Sequence, residues 1–183
     1  MSETMLVECC APTLAGLKTG SLFSCPCPDR EELKAQIRHC NGCLRAAGLV
    51  LLPLRYTEKK VLLYLYRPKA LQRDLDDSEA RAILSTAGYE RQSCGACLLH
   101  LMQRLRENED FPHEIGLFLS YPPEDVRGFI DNRAKNYKCV GTWKVYGDAD
   151  AAQRIFERYQ TCTNNYCRRM EEGEPLQSLA VAV

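Results

Sequence analysis

The chain has 183 residues, of which 45% are hydrophobic and 26% charged, a composition typical of a globular protein with a core rather than a disordered chain. Lysine and arginine together number 24, as do aspartate and glutamate, so the net formal charge is zero and the basic surplus of a nucleic-acid-binding protein is missing. No apolar run approaches the roughly 20 residues that span a bilayer, and the N-terminus lacks a secretory signal, so we expect a cytoplasmic protein.

The first 28 residues predict little regular structure. Residues 4–8 read as a short strand or an extended lead-in, and Pro12 can occupy the first position of a short helix over 12–17. Cys10 would then lie just before a helix N-terminus, where the helix dipole favours a thiolate. Residues 24–28 are predicted to form a loop.

A helix and a hairpin follow. Asp29 is a good N-cap for a helix over 30–46, and the spacing of its apolar residues places Cys40 on the buried face. The runs 49–56 and 61–66 alternate as strands around a polar turn, which predicts a β-hairpin.

The middle of the chain predicts three helices. One starts at Pro68, a second is capped by Ser78, and a third covers 90–107. On the third helix, Cys94 and Cys97 lie on the apolar stripe, so we expect both thiols to be buried packing residues.

The last part alternates strands and helices. We predict strands at 114–120 and 138–146, separated by a helix from Glu124 to about Asn132, and a long final helix capped by Asp148 that Asn164 and Asn165 interrupt. The tail from about residue 172 reads as either a final strand or a frayed end. The prediction is one α+β domain over 1–183, with a mostly antiparallel sheet built from the four longer strands and helices packed on it.

Four segments together resemble a known family: CAPTLAGLK, HEIGLFLSYPPEDVRGFI, WKVYGD and YCRRMEEG. They are similar to a family of proteins from anaerobic, clostridia-type bacteria that is defined only as a domain of unknown function. The resemblance covers nearly the whole chain. It implies no activity, so no catalytic residue transfers from it.

The first candidate site is a papain-like pair. Cys10 before a helix and His113 at the start of a strand follow the order of a Cys/His site, in which the imidazole activates the thiol. Asn132, Asp148 and Glu114 are alternatives for the third member. This pattern predicts a thiol-dependent hydrolase or transferase.

The second candidate is a metal or redox site. The chain has 11 cysteines, and without a signal peptide a disulfide framework is not expected, so core packing, metal binding and thiol chemistry stay open. One possible set of zinc or iron ligands matches the family pattern, which also includes KCVGTWKVYGD and YQTCTNNYC: Cys10, Cys139, Cys162 and Cys167. A second set is formed by two closely spaced pairs: Cys25, Cys27, Cys40 and Cys43.

The third candidate is a ligand site at WKVYGD. Trp143 and Lys144 lie on opposite faces of the predicted strand, and a lysine flanked by aromatic residues can bind an anionic ligand or cofactor. No nucleotide-binding loop, H-E-x-x-H or G-x-S-x-G motif occurs. The sequence therefore leaves open whether the chain is an enzyme, a metal- or redox-responsive protein or a binding module.

Overall fold

The computed structural model describes residues 1–90, 93–107 and 111–183. The chain divides into two compact units: Met1–Pro68 with Tyr159–Val183, and Lys69–Arg158. Helices and antiparallel sheet are both present, which confirms the predicted α+β class. The expectation of a single domain stays a prediction.

The first unit contains a three-stranded antiparallel sheet in the order β1-β3-β2. The strands have these bounds: β1 Gly20–Pro26, β2 Val50–Tyr56 and β3 Lys60–Tyr66. The predicted hairpin is confirmed, and its register shifts at Pro53, which has no N–H to donate to the ladder. The predicted loop at 24–28 is wrong, because β1 continues to Pro26 and turns Cys25 into the core.

The N-terminal segment is a helix, α1 Glu3–Leu14, so the expected strand at 4–8 and the separate helix at 12–17 are both wrong. Ser2 caps α1 by accepting a hydrogen bond from the backbone N–H of Met5 at 3.1 Å. The buried residues recur at helical spacing through the proline: Leu6, Val7, Cys10, Ala11 and Leu14. Cys10 therefore lies inside a helix and not at its N-terminus.

The helix predicted over 30–46 is confirmed as α2 Arg30–Leu44, followed by a 3₁₀ turn over Arg45–Ala47. Asp29 caps α2 by accepting from the N–H groups of Glu31 and Glu32. Cys40 is 4% exposed, as its place on the apolar stripe predicts.

Arg67 ties together the buried end of α1, the 3₁₀ turn and the C-terminal tail. Its guanidinium donates to the carbonyls of Thr13 at 3.0 Å, Leu14 at 2.9 Å, Ala47 at 3.0 Å and Val181 at 2.7 Å. The residue is 6% exposed, and burial lowers the pKa of the guanidinium from its ordinary value. The positive charge is stabilised by the carbonyl end of α1, where the helix dipole is negative.

The tail after residue 172 is packed, so neither a final strand nor a frayed end describes it. Leu176 and Leu179 of the short helix α9 Leu176–Leu179 are 1% and 0% exposed. Val181 donates its backbone N–H to the carbonyl of Leu14 and accepts from Arg67. Apolar anchoring and these hydrogen bonds order the segment.

The second unit is mainly helical. Its elements have these bounds: α3 Pro68–Asp76, α4 Ser78–Thr86, α5 Cys94–Glu107, α6 Ile115–Phe118, α7 Pro123–Asp131, β4 Cys139–Val140, β5 Lys144–Val145 and the start of α8 Ala149–Glu171. The helices predicted from Pro68, Ser78 and Glu124 are confirmed, although Asp77 rather than Ser78 caps α4. Part of the predicted helix over 90–107, residues 91 and 92, lies outside the described residues.

The two later strands were predicted wrongly. Residues 115–119 are all buried, which a strand exposed on one face would not allow, and they form α6 and a turn. Within residues 138–146, where one long strand was predicted, only the two-residue strands β4 and β5 form, and they pair with each other. Among the described residues, the predicted four-stranded sheet is therefore replaced by a three-stranded sheet and a small hairpin.

Asp148 caps α8 as predicted, accepting from the N–H of Ala151 at 2.9 Å. The predicted interruption at Asn164 and Asn165 is wrong, since α8 continues to Glu171. None of the helices in the described part of the chain combines the length and the hydropathy that crossing a membrane requires.

Replacing Arg67 with Met should lower the free energy of unfolding by about 3 kcal/mol or more, because four backbone carbonyls lose their donor and three of these hydrogen bonds are buried. Urea denaturation followed by circular dichroism measures the loss. The exposed Arg38→Met is the matched control and should change stability by less than about 0.5 kcal/mol. Equal stability of the two variants would contradict the role assigned to Arg67.

Candidate functional site

The second unit contains a cavity of about 330 Å³ between α7, the β4–β5 hairpin and the segment before α6. Its walls are mostly apolar and aromatic, and they include Val126, Phe129 and Trp143. His113 and Lys144 supply the groups on these walls that can carry positive charge. Three residues predicted from sequence, His113, Trp143 and Lys144, therefore lie around one cavity.

Asp125 holds the hairpin against α7. One carboxylate oxygen accepts from the indole N–H of Trp143 at 2.6 Å, and the other accepts from the backbone N–H groups of Tyr146 at 2.7 Å and Gly147 at 2.8 Å. Asp125 is 3% exposed and lies in the first turn of α7, where the helix dipole favours a negative charge. These three hydrogen bonds fix the orientation of the Trp143 ring.

Trp143 is packed between two aromatic rings. Its ring centroid is 5.0 Å from that of Tyr121 and 4.6 Å from that of Phe156, the latter edge to face. The hairpin also approaches α7 closely, because a Cβ at Gly128 would clash with the ring of Tyr146. These contacts hold the ring of Trp143 in place at the cavity, which Tyr121 also lines.

Lys144 is half-buried and held at one wall. Its ammonium donates to the carbonyl of Ala134 at 2.9 Å and lies 4.8 Å from the centroid of Tyr137 and 5.8 Å from that of Phe129. Aromatic faces stabilise a cation at such distances. The ammonium of Lys144 therefore has a fixed position beside aromatic rings, as the sequence suggested for a lysine flanked by aromatic residues.

The loop that receives Lys144 has unusual backbone angles. Arg133, Ala134 and Asn136 have φ values of +50°, +61° and +59°, a region that favours glycine. Asn132 ends α7 by donating its side-chain amide to the carbonyl of Gly128 at 2.8 Å. This hydrogen bond gives the predicted third catalytic residue a structural role.

His113 lies in a turn before α6 rather than on a strand. Its side chain is exposed, and its ring meets Phe129 edge to face at 5.0 Å. The residue lines the 330 Å³ cavity and also a neighbouring cavity of about 540 Å³. The side chain of His113 therefore lines both cavities.

A partly buried ion pair forms one side of the larger cavity. The guanidinium of Arg104 lies 2.7 Å from the carboxylate of Glu114, which also accepts from the hydroxyl of Tyr89 at 3.1 Å. Burial, followed by the charge of Glu114, raises the pKa of the Tyr89 phenol. Arg104 further donates to the carbonyl of Ala87, so these charges connect α4, α5 and the turn at 114.

Cys10 does not have the environment of a catalytic thiol. It is 0% exposed in the core of the first unit, and burial raises its pKa well above the ordinary value. A reactive thiol needs access and a stabilised thiolate. His113 belongs to the other unit, so neither unit contains the predicted pair.

The cysteines do not form a metal centre in the described part of the chain, where no group of three or more His, Cys, Asp or Glu side chains is placed to hold an ion. Cys162 and Cys167 pack against the core that contains Cys10, whereas Cys139 lies in the β4–β5 hairpin of the second unit. Cys25 at the end of β1 and Cys27 just after it are buried in the core cluster that also contains Cys40 and that Cys43 packs against.

Asp125 was not among the candidate site residues predicted from the sequence. A signal was available, because Asp125 lies four residues before Phe129 and next to Val126, on the apolar side of α7. Glu124, its neighbour, is exposed as expected. A carboxylate on an apolar helix face requires buried donors, and the hairpin provides them.

Residues 6–180 match the sequence model of a family described as "Protein of unknown function (DUF3793)". The chain belongs to this family. The match spans both units and confirms the family resemblance of the sequence. Comparisons of the DUF3793 chain with curated proteins and with solved structures gave no match.

In the DUF3793 chain, Cys10 should react with iodoacetamide at least about tenfold more slowly than its exposed neighbour Cys9, because burial excludes the reagent and disfavours the thiolate. Peptide mass spectrometry after timed alkylation of the native protein measures both rates. Preferential reaction of Cys10 that disappears in His113→Ala would instead support the papain-like pair.

Asp125→Asn should destabilise the protein by about 1.5–3 kcal/mol, because the amide cannot accept from all three N–H donors without presenting its own N–H groups. Trp143 is the single tryptophan of the chain, so its emission should shift to longer wavelength as the indole loses its partner. Denaturation and fluorescence measure the two effects.

Asp131→Asn is the control, since Asp131 ends the same helix and is exposed. It should leave both stability and emission unchanged. An Asp125→Asn protein with wild-type stability and emission would show that the carboxylate does not position the tryptophan.

Proposed function

We propose that the second unit is a binding module for a small organic anion with an aromatic or apolar body. The observation that carries the proposal is the 330 Å³ cavity with Trp143 on one wall and Lys144 on another. Pockets for small molecules have volumes of about 300–1,000 Å³ and combine apolar walls with a few polar groups. This cavity fits the smaller members of that class.

The walls favour a flat or branched apolar body. Val126 and Trp143 are 4% and 6% exposed, and Phe129 contributes a further ring. Contact with these side chains removes apolar ligand surface from water, which supplies most of the affinity of small-molecule sites. Aromatic ligands gain additional stabilisation from edge or offset contacts with the rings.

Lys144 supports recognition of an anionic group. An ammonium has three N–H donors, and the structure records one of them on the carbonyl of Ala134. The other two can reach a carboxylate at the cavity wall, and the imidazole of His113 adds a further hydrogen-bonding group. Because the ammonium is already held between Tyr137 and Phe129, little side-chain entropy is lost on binding.

The geometry supports binding over thiol catalysis. Of the described residues that line the cavity, none is a cysteine, and the predicted nucleophile Cys10 is buried in the other unit.

The eleven free thiols are typical of a reducing compartment, so the proposal places the protein in the cytoplasm.

The proposal predicts that 3-phenylpropanoate binds and changes the emission of Trp143, whereas the neutral 3-phenylpropanamide binds at least about tenfold more weakly. Loss of one charge-assisted hydrogen bond accounts for a difference of this size. Titration of the protein with each compound, followed by tryptophan fluorescence, measures the two dissociation constants.

Lys144→Met should reduce the affinity for the carboxylate to that for the amide, because methionine keeps the apolar stem and removes the charge. The control Lys135→Met removes an exposed lysine of the same loop and should bind as the wild type does. The proposal fails if the two compounds bind equally well, or if neither changes the emission at millimolar concentration.

A further inference from the structure

The spacing C-x2-C occurs at the beginning of α5, outside the ligand cavity. Cys94 is the first residue of this 14-residue helix and is half-buried, which corrects its expected place in the core. Cys97, one turn later, is 6% exposed, as its place on the apolar stripe predicts. The two thiols thus form an unequal pair, one approachable and one buried.

The thiol of Cys94 is half-buried, whereas that of Cys97 is buried. Of the described residues, only Ser93 would come within 4 Å of a Cβ at Gly95, with its hydroxyl at 3.8 Å. The backbone N–H of Cys94 donates to the side-chain carbonyl of Gln72 at 2.7 Å, which anchors the start of the helix. The exposed part of the Cys94 thiol can be approached by a small molecule.

The spacing of three residues places Cys94 and Cys97 on the same face of the helix. Residues three apart on a helix have Cβ atoms about 5–6 Å apart, and a disulfide requires about 3.5–4.5 Å. The Cβ–Cβ distance must therefore shorten by about one ångström. A small backbone shift can do this at a helix start, because the first residue is held by fewer intrahelical hydrogen bonds than interior residues. Burial, followed by the neighbouring Cys94 and Asp76, raises the pKa of the Cys97 thiol, so Cys94 is the thiol that reacts first.

We propose that Cys94 and Cys97 form a dithiol–disulfide exchange site whose substrates are disulfides, either small-molecule or protein-borne. Thiolate attack by Cys94 on the substrate disulfide forms a mixed disulfide and releases one thiolate, which takes up a proton. Cys97 loses its proton to solvent and attacks the sulfur of Cys94, which releases the second substrate thiolate. The dithiol gives up two electrons and two protons, and the substrate disulfide becomes two thiols.

The position in the helix supports this direction of attack. The N-terminus of a helix carries a partial positive charge, which stabilises the negative charge on an attacking sulfur. The chain offers an internal comparison, because Cys40 and Cys43 have the same spacing but lie in the last two turns of α2. There the partial charge of the helix is negative, and the side-chain amide of Gln177 already donates to the sulfur of Cys43 at 3.2 Å.

The experiment uses the wild-type protein in glutathione buffers of graded redox ratio. After equilibration, free thiols are blocked with N-ethylmaleimide and the protein is digested with trypsin. Peptide 92–104 contains Cys94 and Cys97 and no other cysteine, and peptide 39–45 contains only Cys40 and Cys43. Mass spectrometry then gives the oxidised fraction of each pair and, in timed samples, the rate of its formation.

We expect peptide 92–104 to carry an internal disulfide that forms on the order of tenfold faster than any in peptide 39–45, because the two pairs lie at opposite ends of the helix dipole. Equal rates in the two peptides, or full blocking of Cys94 and Cys97 at every redox ratio, would overturn the proposal.

Two variants test the order of attack. Cys97→Ser should accumulate a mixed disulfide of Cys94 with glutathione, because the second thiol that releases it is missing. Cys94→Ser should leave Cys97 unmodified on the same timescale, because the remaining thiol is buried. Rapid glutathionylation of Cys97 in that variant would contradict the assignment of Cys94 as the attacking thiol.

Discussion

The carboxylate of Asp125 is the constraint on which the candidate site depends. A charged group that is 3% exposed is stable only if donors replace its water, and here one indole and two backbone N–H groups do so. These donors come from the β4–β5 hairpin and the residues after it, so the charge of Asp125 can be buried only when this segment packs against α7. Trp143 and Lys144 are neighbours on that hairpin, and their positions at the cavity follow from it.

Arg67 has the same role in the first unit with the opposite charge. Its guanidinium is satisfied by carbonyls from α1, the 3₁₀ turn and the tail rather than by a carboxylate. In each unit a buried ion with neutral hydrogen-bond partners therefore fixes segments that are distant in sequence. Such contacts are specific in direction, whereas apolar packing alone leaves the register of a short segment weakly defined.

The elements with a long periodic pattern could be predicted from the sequence. The helix α2, the β2–β3 hairpin and the helices α3, α4 and α7 all show caps or alternation that depend on nearby residues. The strand predicted at 114–120 failed because a continuous apolar run does not distinguish a buried strand from buried helical turns. The α1 segment failed because Pro12 was interpreted as a helix start, although the apolar spacing continues through it.

The site itself was predictable only in part. Trp143, Lys144 and His113 stand out by residue type, but their convergence depends on the long-range hydrogen bonds of Asp125, which no local pattern encodes. The thiols show the same limit. The positions of Cys40 and Cys97 follow from helical spacing, whereas the burial of Cys10 and the partial exposure of Cys94 depend on where each helix begins.

A crystal structure of the protein with 3-phenylpropanoate tests the central claim most directly. The account predicts the phenyl ring in the cavity against Trp143 and Val126, with a carboxylate oxygen within hydrogen-bond distance, about 2.7–3.2 Å, of the Lys144 ammonium and with Asp125 still bonded to the indole. A ligand bound elsewhere, or one whose carboxylate points away from Lys144, would contradict it.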